Sequence, residues 1–130
     1  MADVVHVTDP SLFPPPHPTS HAVLADGFLL VSGQVPRHPD GGAPDGVEEQ
    51  VELALANAAS VLRAAGMSLE DAIFLRAFVT DRETLAAWRD LRRDRFGDAR
   101  PAATTVLVAG LADERWRIEI EVVAYRRPAG

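Results

Sequence analysis

An α+β fold, with one β-sheet and two helices packed on one of its faces, is what the apolar patterning of these 130 residues predicts. Two stretches, Val47 to Ala65 and Leu85 to Phe96, repeat apolar residues at helical spacing. The other apolar stretches are short, and the clearest of them alternate as strands do. The elements follow in the order strand, hairpin, helix, strand, helix, strand, strand. The length suits a single domain over 1–130, with residues 1–18 forming a first strand and a proline-rich connector.

Val4 to Val7 reads as a short edge strand. It runs into Phe13-Pro14-Pro15-Pro16-His17-Pro18, where proline fixes the backbone and removes donors, so an extended connector is predicted. The runs His21 to Ala25 and Phe28 to Ser32 flank Asp26-Gly27, a hairpin signal. Arg37 to Gly46 is turn-rich and predicts a loop. A helix opens near Asp45, where Asp45-x-x-Glu48 fits a capping box, and Gly66 is its expected stop. Ala72 to Thr80 is a strand with Ile73, Leu75, Ala77 and Val79 on one face. Thr80-x-x-Glu83 fits a second capping box, and Leu85, Trp88, Leu91 and Phe96 form the stripe of a helix that Gly97 ends. Two strands close the chain, Thr104 to Ala109 and Trp116 to Tyr125, with a turn over Gly110 to Arg115.

Composition excludes several chemistries. All 13 basic residues are arginine, and there is no cysteine. Without lysine there is no Schiff base through a protein amine and no P-loop. Without cysteine there is no thiolate nucleophile, disulfide or cysteine-ligated metal. The net charge of −6 argues against nucleic acid as a partner. No apolar run approaches a membrane-spanning length, and a cytoplasmic protein without a membrane partner is expected.

The final strand alternates sharply. Ile118, Ile120, Val122 and Ala124 should bury under the helices, which leaves Arg117, Glu119 and Glu121 on the opposite face. That face fits either a solvated surface with salt-bridging arginines or a cleft in which a carboxylate acts as general acid or base. The four histidines, His6, His17, His21 and His38, lack the spacing of a helical metal site and read as surface or turn residues. Ser32 precedes Gly33 without a Gly-x-Ser-x-Gly elbow, so a serine hydrolase triad is not indicated.

Several motifs stand together in a familiar order: Ser20-His21-Ala22-Val23, Ser32-Gly33-Gln34-Val35-Pro36, Ala64-Ala65-Gly66-Met67, Phe78-Val79-Thr80-Asp81, Arg100-Pro101-Ala102 and Ile118-Glu119-Ile120-Glu121. In these the chain resembles the YjgF, or Rid, family of reactive intermediate deaminases over roughly residues 17–126. The resemblance implies a chorismate-mutase-like fold and a homotrimer with clefts between subunits. It implies a small-molecule substrate, with enamines and imines as the class; no cofactor or metal is expected, given the missing lysine and cysteine and the histidine spacing. Glu119 matches the glutamate that positions or activates water. Ser32 and Gly33 match the cleft-lining pair, Thr105 falls where a cleft residue offers backbone contacts, and Thr19 falls where an aromatic residue often stands.

One departure bears on function. Where the deaminases read Pro-Ala-Arg, this chain reads Pro101-Ala102-Ala103, so the arginine that grips the substrate carboxylate is absent at its usual place. Arg76, Arg100 and Arg117 are the possible substitutes by position, although a surface salt bridge is the expected role of each. The resemblance therefore implies an enzyme with altered specificity that hydrolyses an imine or related C–N bond through Glu119. The alternatives are a non-catalytic metabolite-binding trimer and an ordinary 2-iminobutanoate or 2-aminoacrylate deaminase with a relocated arginine. RNA cleavage fits the acidic charge least.

Overall fold

The computed structural model describes residues 3–129. Six strands, β1 (Val4–Val7), β2 (Ala22–Ala25), β3 (Phe28–Gln34), β4 (Ala72–Val79), β5 (Ala102–Leu107) and β6 (Ile118–Tyr125), form one mixed sheet in the order β1-β2-β3-β6-β4-β5. Helices α1 (Val47–Ala64) and α2 (Arg82–Phe96) cover one face. Their apolar stripes bury Val51, Ala54, Leu55, Ala58, Val61, Leu62 and Trp88 against Leu29, Val31, Leu75, Ala77, Val79, Ile118, Ile120 and Val122. No helix among the described residues is long and apolar enough to cross a membrane.

Local chemistry accounts for most junctions. Asp26 and Gly27 both take positive φ, 50° and 84°, and close the β2–β3 hairpin with Ala25 opposite Phe28. Gly66, at φ 78°, ends α1 as expected: its N–H bonds to the Arg63 carbonyl, and the Met67 N–H reaches back to Leu62.

Other expectations are corrected. Neither helix is capped as predicted. Gly46, which has no side chain to cap with, precedes α1. Asp81, one residue beyond Thr80, caps α2 by accepting the Thr84 N–H at 2.8 Å. The register of β4 on β6 shifts between Ala72 and Phe74, so Ile73 turns outward and is 44% exposed while Ala72 is buried. Gly97 ends α2 in a right-handed conformation, and the left-handed residue that follows is Arg100, at φ 47°. The penultimate strand begins at Ala102 rather than Thr104. It runs parallel to β4 at the sheet edge and is separated from β6 by that strand.

Candidate functional site

The alternation of β6 is borne out. Ile118, Ile120, Val122 and Ala124 are fully buried under the helices, and Glu119 and Glu121 lie on the open face of the sheet. A second irregularity sits beside Glu119. Between Val31 and Gln34 the register of β3 on β6 slips by one residue, which makes Ser32-Gly33 a bulge. The bulge brings the Gly33 backbone against the Glu119 side chain: a Cβ on Gly33 would stand 2.5 Å from Glu119 Oε2. Only glycine leaves the carboxylate where it is.

Glu119, Ser32, Gly33 and Thr19 line one cavity of about 490 Å³. The proline-rich connector forms its rim, with Leu12, Phe13, Pro14, Pro15 and Pro16 contributing an apolar wall. Buried polar groups hold that connector in place. His21, expected as a surface or turn residue, is buried: its Nδ1 accepts the Asp9 N–H at 2.9 Å, and its Nε2 lies 2.9 Å from the Phe13 carbonyl. This arrangement puts the ring proton on Nε2. Burial pushes the Asp9 carboxyl up, but hydrogen bonds from Ser11 and Ser60 outweigh it and hold the group below its ordinary range. The Ser32 hydroxyl donates to the Ser20 carbonyl at 2.7 Å, tying β3 to the same segment.

Glu119 is half-buried and has no hydrogen-bond or ion-pair partner among the described residues. Burial pushes its carboxyl above the ordinary value of 4.5, and the neighbouring Glu121 adds to the rise. Glu121 itself is paired with Arg76 at 3.1 Å. Arg117 is likewise engaged: its Nε and Nη2 each reach Asp81 at 3.1 Å, with Glu83 at 3.7 Å. Burial tends to raise Asp81, yet the Arg117 guanidinium and the N-cap bonds from Thr84 hold it well below the carboxylate range. Two of the three arginines that sequence position offered as substrate contacts are thus committed to carboxylates. The third, Arg100, does not line the Glu119 cavity.

Ala103 and Thr105 lie elsewhere in the chain. They are in register with the buried Leu75 and Ala77, which puts them on the helix-bearing face at the β5 edge. The Thr105 hydroxyl accepts from Trp88 Nε1 at 3.2 Å and from Arg92 at 3.4 Å. Ala103 lines a separate cavity of about 440 Å³ with Arg89, Arg92 and Arg93. One protomer therefore unites Thr19, Ser32, Gly33 and Glu119, and leaves Ala103 and Thr105 apart. Sequence reasoning missed Arg37 and Trp116, which also line the Glu119 cavity. Arg37 sits in a turn-rich loop and Trp116 in the loop two residues before β6, rather than within the strand that the sequence predicts from Trp116, and neither position carries a periodic signal. Among the described residues no group of three His, Asp or Glu side chains is placed to hold a metal.

Comparison with known proteins extends these observations. The family model described as Endoribonuclease L-PSP matches residues 12–126. A RutC family protein of Pyrococcus horikoshii is 33% identical over 111 residues, covering 84% of this chain and 87% of that protein. A 2-iminobutanoate/2-iminopropanoate deaminase of Capra hircus is 33% identical over 113 residues, covering 85% of this chain and 82% of its own. Among solved structures, YyfA of the conserved Rid protein family from Yersinia pestis superposes with a TM-score of 0.89 at 28% identity, covering 95% of this chain and 100% of that one. E. coli TdcF with bound serine superposes at 0.86 and 28% identity, covering 94% and 98%. The chain belongs to the endoribonuclease L-PSP family, the Rid or YjgF family that its motifs resemble.

Proposed function

We propose that this protein hydrolyses the C=N bond of a small imine, or of the enamine in equilibrium with it, with Glu119 as the acid–base group. The observation that carries this reading is a half-buried carboxylate without a partner, raised in pKa, facing an apolar-walled cavity. A carboxylate held above its ordinary range by burial is suited to both halves of the reaction. It accepts a proton from water as the oxygen attacks the imine carbon. It returns that proton to the nitrogen to give a carbinolamine, then takes the proton of the new hydroxyl and passes it to the same nitrogen, so that the C–N bond breaks, ammonia leaves and the carbon becomes a carbonyl. The relatives named as 2-iminobutanoate/2-iminopropanoate deaminases support the substrate class.

The working unit in this reading is a homotrimer. Phe28, Leu30, Val106 and Tyr125 stand 38–52% exposed on the sheet face that no helix covers, an apolar surface suited to other copies of the chain. A neighbouring copy would also bring its own β5, with Ala103 and Thr105, toward the Glu119 cleft. Ala103 favours a second reading, a trimer that binds a metabolite without turnover, because the arginine of the deaminases is absent there.

One assay separates the two. Ammonia release from 2-iminobutanoate, generated in place by a coupled enzyme, should be accelerated by the wild type. Glu119→Gln should lower kcat by about 10²-fold or more. A wild type that leaves the uncatalysed rate unchanged removes the hydrolase reading.

A further inference from the structure

The cavity that holds Glu119 also holds a cation without a carboxylate. The Arg37 guanidinium is sandwiched between two aromatic rings, with its carbon 4.2 Å from the Phe13 centroid and 4.5 Å from the Trp116 centroid. Both faces of the planar group are covered, so only its in-plane N–H edge remains for an acceptor. Among the described residues its guanidinium makes no hydrogen bond or ion pair. Arg76, Arg95, Arg115, Arg117 and Arg126 each hold a carboxylate at 2.7–3.1 Å. The Asp113 carboxylate feels the Arg37 charge without pairing with it. That carboxyl is held down to about 2 chiefly by Arg115, which grips it through both Nε and Nη2, while Arg37 adds only a weaker attraction.

The position is braced. Asn57, buried on α1, donates to the carbonyls of Val35 and Arg37 at 2.9 and 3.0 Å, and so fixes the backbone that carries the guanidinium. Gln50, buried on the same helix, donates to the Arg115 carbonyl and accepts the Arg117 N–H, each at 2.8 Å, and so fixes both sides of Trp116. The second ring, Phe13, is tied through its carbonyl to His21. A guanidinium held in this way loses little further freedom when it binds a planar anion. Its donor edge matches a carboxylate through two parallel N–H bonds.

We infer that Arg37 is the anion-binding residue of this cavity, and that the ligand is a 2-oxo or 2-imino acid whose carboxylate meets Arg37 while its apolar side chain lies against Leu12 and Pro14–Pro16. The turnover of such an acid rests on the reading of Glu119 given above, but binding of the carboxylate does not. Position 103 is then free to be alanine because the grip is made from within the protomer that supplies Glu119.

The test uses 4-methyl-2-oxopentanoate, the stable product analogue of a branched imino acid, titrated calorimetrically into the full-length protein. Its methyl ester and inorganic phosphate serve as comparison probes. The wild type should bind the acid at least tenfold more tightly than the ester or phosphate. Arg37→Met should erase that preference and leave ester affinity unchanged, and Arg37→Lys should fall between. If Arg37→Met does not fold, judged by near-ultraviolet circular dichroism, Arg37→Lys and Arg37→Gln decide the matter. Equal affinity for the acid in wild type and the folded Arg37 variants overturns the inference. So does a loss produced by Arg92→Met instead, which would move the anion to the Ala103 cavity, or a preference for phosphate. Arg37-dependent binding without imine turnover would leave the subsite standing and remove the hydrolase reading. Glu119-dependent turnover that ignores Arg37 would do the reverse.

Discussion

Ionising Glu119 costs the folded chain more than the unfolded one, because burial and Glu121 both oppose its negative charge. The native state therefore binds a proton more tightly than the unfolded state, whose glutamate titrates near 4.5. As pH rises from that value through the higher native pKa, stability is lost, and above it the loss is constant. Glu119→Gln never ionises. It should raise Tm by on the order of a few degrees at about pH 7, with the gain shrinking to nothing below about pH 4.5. Thermal scans at several pH values check this, and a gain that persists in acid would assign the effect to packing rather than charge. That Glu119 stands on the open face was legible from alternation alone, since period-two patterning assigns a face without knowledge of the neighbours. Its freedom from a salt bridge was not legible. It follows from Arg76 pairing with Glu121 and Arg117 pairing with Asp81, contacts made between elements. The Arg37 sandwich was hidden for the same reason: Phe13, Arg37 and Trp116 meet only after the sheet has brought three distant segments together.

Element boundaries carry the next level of control, and Asp81 shows how one residue serves two elements. It caps α2 through the Thr84 N–H and hydroxyl and accepts two N–H groups of Arg117, the residue just before β6. Its pKa is depressed in the folded state, so its contribution is fully present above the ordinary 3.8 and is lost as pH falls through the lower native value. Asp81→Ala should destabilise by about 1–2 kcal/mol at neutral pH. Asp81→Asn should recover the cap but not the ion pair. Urea titrations of the two variants at neutral pH check the order, and equal losses would mean that the cap contributes nothing. The capping-box pattern led the sequence reading to Thr80, one position early, because it counts only the spacing to Glu83. The competing partner, Arg117, lies far along the chain. Ile73 failed in a similar way, since a bulge that re-aims one side chain depends on the partner strand and leaves the local alternation intact. The hairpin at Asp26-Gly27 and the stop at Gly66 were legible because each is decided by its own backbone conformation.

At the scale of the molecule, the sheet has one face under helices and one without them. On the bare face Leu30 is 52% exposed and in register with Val23 and Val123, while the Phe28 and Tyr125 rings pack with centroids 4.8 Å apart nearby. A solitary domain would gain little by keeping such a surface in water, and the proposed trimer covers it. Leu30 is separate from the helix-side core, so a charge there leaves the protomer's own packing intact. Buried between copies, the same charge would be unpaired and would cost about 3 kcal/mol or more at each interface. Leu30→Glu should therefore sediment as a monomer with an unchanged far-ultraviolet spectrum, where the proposed trimer predicts three copies for the wild type. If the cleft needs β5 of a neighbour, the monomer should also lose turnover while keeping Arg37 and Glu119 in place. A Leu30→Glu protein that still sediments at three times the chain mass would mean that the sheet faces do not meet. A monomer with full activity would show that one protomer's cavity is sufficient, and would confine the site to Glu119, Ser32, Gly33, Thr19 and Arg37.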